Sequence, residues 1–237
     1  MRLITLTSLA FVLALSAPSG LSETVVLRQG FDDFEVGVIG AVGAENVEGG
    51  IWREFGKGES SPKVSTQEFF SATGAGSGKS VAIIRDNASV HTTDFWLIAR
   101  WESALDSGIV RISFSAFRDS EQSGFSVHLG TAEKNLGENT IAVTVPNKSS
   151  FGTKLAVMDK AGAWKATPLE IPVGTWTRIL MEIDFSAKTY RVSANGEFFG
   201  EAIPFEANGP LRQIAFIPTY PDGNLSCVDE VEVVALD

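Results

Sequence analysis

The chain has 237 residues with 19 basic and 29 acidic side chains, a net charge of −10, one cysteine, 16 phenylalanines and 23 glycines. A hydrophobic fraction of 44% with 20% charged residues excludes wholesale disorder, and the length suits one mid-sized domain with a sizeable core. An acidic surface repels phosphate backbones, which argues against nucleic acid as a partner. A lone cysteine closes no internal disulfide, so the core or a metal must hold the fold.

In chain order, residues 1–22 read as a secretory leader. Arg2 supplies the positive start, Leu3–Leu15 is apolar apart from Thr5, Thr7 and Ser8, and small residues run from Ser16 to Ser22. That apolar core is about 13 residues, short of the ~20 that span a bilayer. The expectation is an exported chain, extracellular or periplasmic, with residues 23–237 as a single domain. No later segment is apolar enough to be a transmembrane helix.

Thr73-Gly-Ala-Gly-Ser-Gly-Lys79-Ser80 imitates a phosphate-cradling loop, but Thr73 occupies the position of the first glycine. Ser80–Arg85 that follows is β-rich, whereas such a loop must open a helix. It reads as a turn before a strand. Trp101–Leu105 could hold one helical turn at most. Beyond it, apolar side chains recur at every second position. Val110, Ile112, Phe114 and Ala116 share one face, as do Phe125, Val127 and Leu129, then Ile179, Met181, Ile183 and Phe185, then Tyr190, Val192 and Ala194. This is the pattern of strands with one buried and one wet side. Asn195-Gly196 between Thr189–Ala194 and Glu197–Gly200 marks a tight hairpin, because both residues tolerate positive φ. Many short strands without a long helical stripe predict an all-β fold, a two-sheet antiparallel β-sandwich or jelly roll.

Two stretches carry a resemblance. Pro172-Val-Gly-Thr-Trp176, leading into Arg178–Asp184, and Tyr190–Gly196 after it are similar to the Gly-x-Trp strand and Asn-Gly hairpin of concanavalin A-like lectin/glucanase jelly rolls, laminin G-like domains included. Phe31–Glu35 and Val228–Val233 resemble the opening and closing strands of secreted members. The resemblance implies two stacked sheets, one concave, with polysaccharide or another glycan as partner. It also implies a structural Ca2+ where the first and last strands meet, for which Asp33, Glu35 and Asp229 are the candidate ligands. Asp229 shares period-two parity with Cys227, Val231 and Val233, which points it toward an apolar face, where Arg28 is another candidate partner.

Further candidates follow from side-chain chemistry. Glu182 and Asp184 are similar to the catalytic strand of laminarinase-type hydrolases, but Ser186 and Ala187 fall where the third carboxylate should be. A retaining glycosidase needs two facing carboxyls. His128 with Tyr220, and Arg111 or Arg118 to neutralise a uronate, could be cast as a lyase set; His91 and Asp94 are the other imidazole and its neighbouring acid. Trp164, Trp96 and Trp52 are candidate stacking surfaces for sugar rings, with Trp164 between lysines on a turn and Trp176 assigned to the core. The leading reading is a secreted glycan-binding, lectin-like domain without complete catalytic machinery. A divergent hydrolase or lyase on the same scaffold, and a structural or adhesive exoprotein, are the alternatives.

Overall fold

A computed structural model describes residues 22–32, 37–38, 50–56, 63–65, 80–84, 95–131, 141–146, 151–206, 209–218 and 225–237. Among them ten strands form one sheet: β1 (Glu23–Gln29), β2 (Gly37–Val38), β4 (Lys63–Ser65), β5 (Ser80–Ile84), β7 (Ile109–Arg118), β12 (Thr177–Asp184), β13 (Thr189–Ala194), β14 (Glu197–Phe198), β15 (Ile203–Pro204) and β17 (Leu225–Leu236). Seven form the other: β3 (Gly50–Gly56), β6 (Phe95–Leu105), β8 (Phe125–Gly130), β9 (Ala142–Val145), β10 (Lys154–Met158), β11 (Trp164–Glu170) and β16 (Leu211–Pro218). The order in the larger sheet is β14-β13-β12-β7-β17-β5-β4-β2, with β1 on β17 and β15 on β13. In the smaller it is β11-β10-β9-β8-β16-β6-β3, and the pairings in both are antiparallel. The fold is a two-sheet antiparallel β-sandwich.

The alternation read from the sequence builds the core. Ile112 and Phe114 of β7, Ile179, Met181 and Ile183 of β12, Phe125, Val127 and Leu129 of β8, and Ile214 and Phe216 of β16 bury completely in one cluster between the sheets. Phe216 meets Phe114 edge-on at 5.5 Å and Phe125 at 6.0 Å, which locks the two layers in register. Asn195 (φ 48°) and Gly196 (φ 85°) turn β13 into β14, as the dipeptide predicts.

Three expectations are corrected. Trp101–Leu105 continues β6 rather than turning as a helix, because Trp101 and Leu105 are core residues and the Trp101 Nε1–H donates to Leu211 O at 3.1 Å. Trp176 is half-buried and lies outside the sandwich core, stacked on Phe117 at 5.5 Å. Asp229 does not keep parity with Val231 and Val233. A bulge between Asp229 and Glu232, with Glu230 at φ 49°, resets the alternation. Val228, Val231 and Val233 face the core, while Asp229 sits opposite Ser115 on the outer side.

Buried polar side chains also tie the two sheets, Arg118 by its bond to Pro146 O and Tyr190 more deeply. Tyr190, fully buried on β13, donates its hydroxyl to the carbonyls of Met158 (2.6 Å) and Ala142 (3.1 Å) in the opposite sheet. It fixes β9 and β10 from beneath. Tyr190→Phe leaves both carbonyls without that donor and is expected to lower unfolding stability by about 1–2 kcal/mol. Urea denaturation checks this; an unchanged midpoint would show the tie is energetically idle.

Candidate functional site

The outer face of the seven-stranded sheet departs from the usual polar pattern. On β8 the core takes Phe125, Val127 and Leu129, which turns Ser126 and His128 outward. His128 faces Ala142 on β9 and Ala215 on β16. Ala215 belongs with Ile98 and Ile217 to a second, small apolar cluster on this outer side. The floor is therefore low and apolar. Trp164, at the start of β11, pairs with Met158 of β10 and lies three strands from β8, a backbone separation of about 14 Å. Its indole nevertheless meets the His128 imidazole at 5.9 Å, with the ring planes 89° apart. A small Ala142 on the intervening β9 gives the rings room to approach.

His128 Nε2 shares a hydrogen bond with Ser126 Oγ at 3.2 Å, and the buried Nδ1 has no partner. Burial pushes its pKa down to about 4, so the ring is neutral at physiological pH, with one nitrogen to donate and one to accept. Diagonal to His128, Gln213 accepts from Arg100 Nε at 3.0 Å. The four adjacent strands β10, β9, β8 and β16 contain no Asp or Glu. In a chain with 29 acids, that exclusion defines the face. Of the residues expected to form a site, Trp164 and His128 come together here. Gln213 and Arg100 join them without having been singled out; the available signal was one amide inside the apolar run of β16.

The other candidates lie elsewhere. Glu182 is on the outer face of the larger sheet. Burial favours its protonated form, but hydrogen bonds and charge from Arg191 and Arg111 outweigh this and hold its pKa below the usual carboxylate range. Asp184 accepts from Ser186 Oγ (2.6 Å) and the Ala187 N–H (2.9 Å), which lowers its pKa too, and it closes the β12–β13 turn. Arg111 thus faces the opposite side of the sandwich from His128. Arg118 is buried, donating to Pro146 O at 2.7 Å.

Asp229 Oδ1 accepts the Glu230 N–H at 2.7 Å within the bulge, and Arg28 pairs with Glu232 instead. Burial raises the Cys227 pKa to about 12, consistent with an inert packing residue. Trp52 sits in β3 opposite Ala99 and Trp96 in β6 opposite Phe55, each described by its backbone alone. Tyr220, Asp33, Glu35, His91 and Asp94 lie outside the described residues. Among the described residues, no three His, Cys, Asp or Glu side chains converge as a metal site, and no helix is long and apolar enough to cross a membrane. The calcium donor set is thus represented there by Asp229 alone.

No protein-family profile and no curated protein matches the chain. Solved structures do. A glycoside hydrolase family 131 β-glucanase catalytic domain from Podospora anserina superposes with a TM-score of 0.57 at 16% identity, covering 89% of this chain and 95% of that one. A Bacillus subtilis protein of unknown function with a galectin-like fold gives 0.53 at 12% identity, covering 92% and 99%. A sialidase gives 0.55 at 8% identity; the match covers 88% of this chain and 18% of the sialidase. The fold is thus that of the concanavalin A-like and galectin-like sandwiches.

The neutral His128 has a measurable consequence. Its folded pKa of about 4 lies below the ordinary 6.5, so between those values the unfolded chain binds more protons. Its contribution to stability is complete above about pH 6.5 and falls as pH drops toward 4. Between pH 7 and 4.5 the wild type is expected to lose about 2–3 kcal/mol more than His128→Gln. Parallel slopes in urea titrations would contradict a buried neutral imidazole.

Proposed function

We propose that the protein is an exported, non-enzymatic glycan-binding module whose recognition surface is the outer face of the seven-stranded sheet. The observation that carries this is the Trp164 indole beside the His128 imidazole, over strands β10, β9 and β8, which carry no carboxylate. Sugar rings stack their C–H faces on indoles, and their hydroxyls suit a neutral imidazole, which both donates and accepts. The glucanase and galectin-like structures with the same fold support a carbohydrate ligand. Export follows from residues 1–22, read as a leader.

Binding is favoured over catalysis on chemical grounds. Glycoside hydrolysis needs a carboxyl pair across the sugar, and the four central strands supply no carboxyl. A lyase base works best with a pKa near the operating pH, whereas His128 titrates near 4. Glu182 and Asp184, the hydrolase candidates, are held ionised by their own neighbours on the far face, so neither is suited to donate a proton.

Trp164→Ala is expected to weaken polysaccharide binding at least tenfold in affinity electrophoresis or calorimetry, while wild type releases neither reducing ends nor unsaturated products. Turnover of any polysaccharide would overturn the non-enzymatic reading, and silence across a panel of plant, algal and bacterial polymers would overturn the binding one. A structural calcium held by Asp33, Glu35 and Asp229 belongs to the same proposal. EDTA should then lower the thermal midpoint by several degrees, and an unchanged midpoint removes the ion.

A further inference from the structure

The described arginines are committed in different ways. On the ten-stranded sheet, Arg28 pairs with Glu232 at 2.6 Å, Arg111 and Arg191 both pair with Glu182, and Arg178 pairs with Glu230. Arg118 and Arg212 donate to the backbone carbonyls of Pro146 and Glu102. Arg100, on β6 of the seven-stranded sheet, follows neither pattern. Its Nε donates to the neutral Gln213 amide, and among the described residues the guanidinium forms no ion pair. It is half-buried, on the same outer side as the Ile98–Ala215–Ile217 cluster, beside β16, which carries no acid, while its own strand turns the exposed Glu102 to the same face.

We propose that the glycan taken by this face is an acidic polysaccharide, whose carboxylate or sulfate oxyanion pairs with the Arg100 guanidinium. The proposal rests on the glycan-binding reading above and names its ligand class. The fork of a guanidinium matches an oxyanion with two parallel hydrogen bonds. Gln213 occupies Nε and thereby fixes the plane of the fork, and among the described residues neither Nη has an acceptor. Charge-assisted bonds of this kind contribute more than neutral ones. The lack of Asp and Glu on β10, β9, β8 and β16 reduces the repulsion that a net charge of −10 would otherwise place beside the ligand, with Glu102 on β6 the exposed acid that shares Arg100's face. The site is also long. Trp164 on β11 and Arg100 on β6 are five strand spacings apart, about 24 Å of backbone. A chain crossing the strands would pass the half-buried His128 between these two contacts.

The test uses the full mature chain and matched polymers: dextran against dextran sulfate for the sulfate, and polygalacturonate against a neutral galactan for the carboxylate. Wild type should bind at least one acidic polymer tenfold or more tightly than its neutral counterpart, and the arm that responds identifies the oxyanion. Arg100→Gln should lose that preference, Arg100→Lys should recover part of it, and Lys188→Gln, a cation at the β12–β13 turn, should change nothing. Thermal melts that match wild type separate lost charge from lost fold. Equal binding of charged and neutral polymers, or a preference that survives Arg100→Gln, overturns the acidic ligand. If Trp164→Ala still abolishes binding in that case, the glycan-binding reading survives. Binding to none of the four polymers overturns the acidic ligand as well.

Discussion

The pleat of the strands is the constraint from which the rest follows. Once Phe125, Val127 and Leu129 are committed to the core, Ser126 and His128 must project from the other side of β8, whatever the solvent prefers. The same holds for β16, where Ile214 and Phe216 point inward and Gln213 and Ala215 outward. The inner face decides stability. The residues left on the outer face then decide what the sheet can touch. Tyr190 reinforces this from within, since its hydroxyl holds the backbone under Ala142 and Met158, the floor between the His128 and Trp164 positions.

The two outer faces have been built to different ends. On the larger sheet three outward acids meet a guanidinium: Glu182 with Arg111 and Arg191, Glu230 with Arg178, where Ser115 also donates, and Glu232 with Arg28. Such pairs are of modest energetic value individually, and they leave little hydrogen-bonding capacity for a ligand. On the smaller sheet the polar groups are few and under-committed. His128 Nδ1 lacks a partner, Arg100 lacks an acid, and an aromatic ring lies alongside. A surface left in that condition has its costs recovered when something binds.

Much of this was legible in the sequence. The period-two runs at 110–116, 125–129, 179–185 and 190–194 all became strands with the expected face inside, and Asn195-Gly196 turned where positive φ is tolerated. Asp229 was misread because parity arguments assume an uninterrupted ladder. One extra residue at Glu230 reverses every face before it, and no local composition marks the bulge. Trp101–Leu105 was read as a turn because its β-pairing is to β3 and β16, distant partners that a local window does not contain. The site was half visible. Trp164 and His128 were each credible from their flanks, but their juxtaposition depends on the order β11-β10-β9-β8 and on a small residue between them. Gln213 and Arg100 were hidden for the same reason, since they meet across two strands separated by over a hundred residues.

The central claim is spatial: the ligand lies on the outer face of the seven-stranded sheet. Nuclear magnetic resonance of labelled protein titrated with an oligosaccharide tests it directly. Shifts concentrated at the Trp164 indole N–H, the His128 ring and the Gln213 amide are the expected result. Shifts concentrated instead around Arg111, Glu182 and Arg191, with the Trp164 and His128 signals unmoved, would place recognition on the opposite sheet and contradict the account.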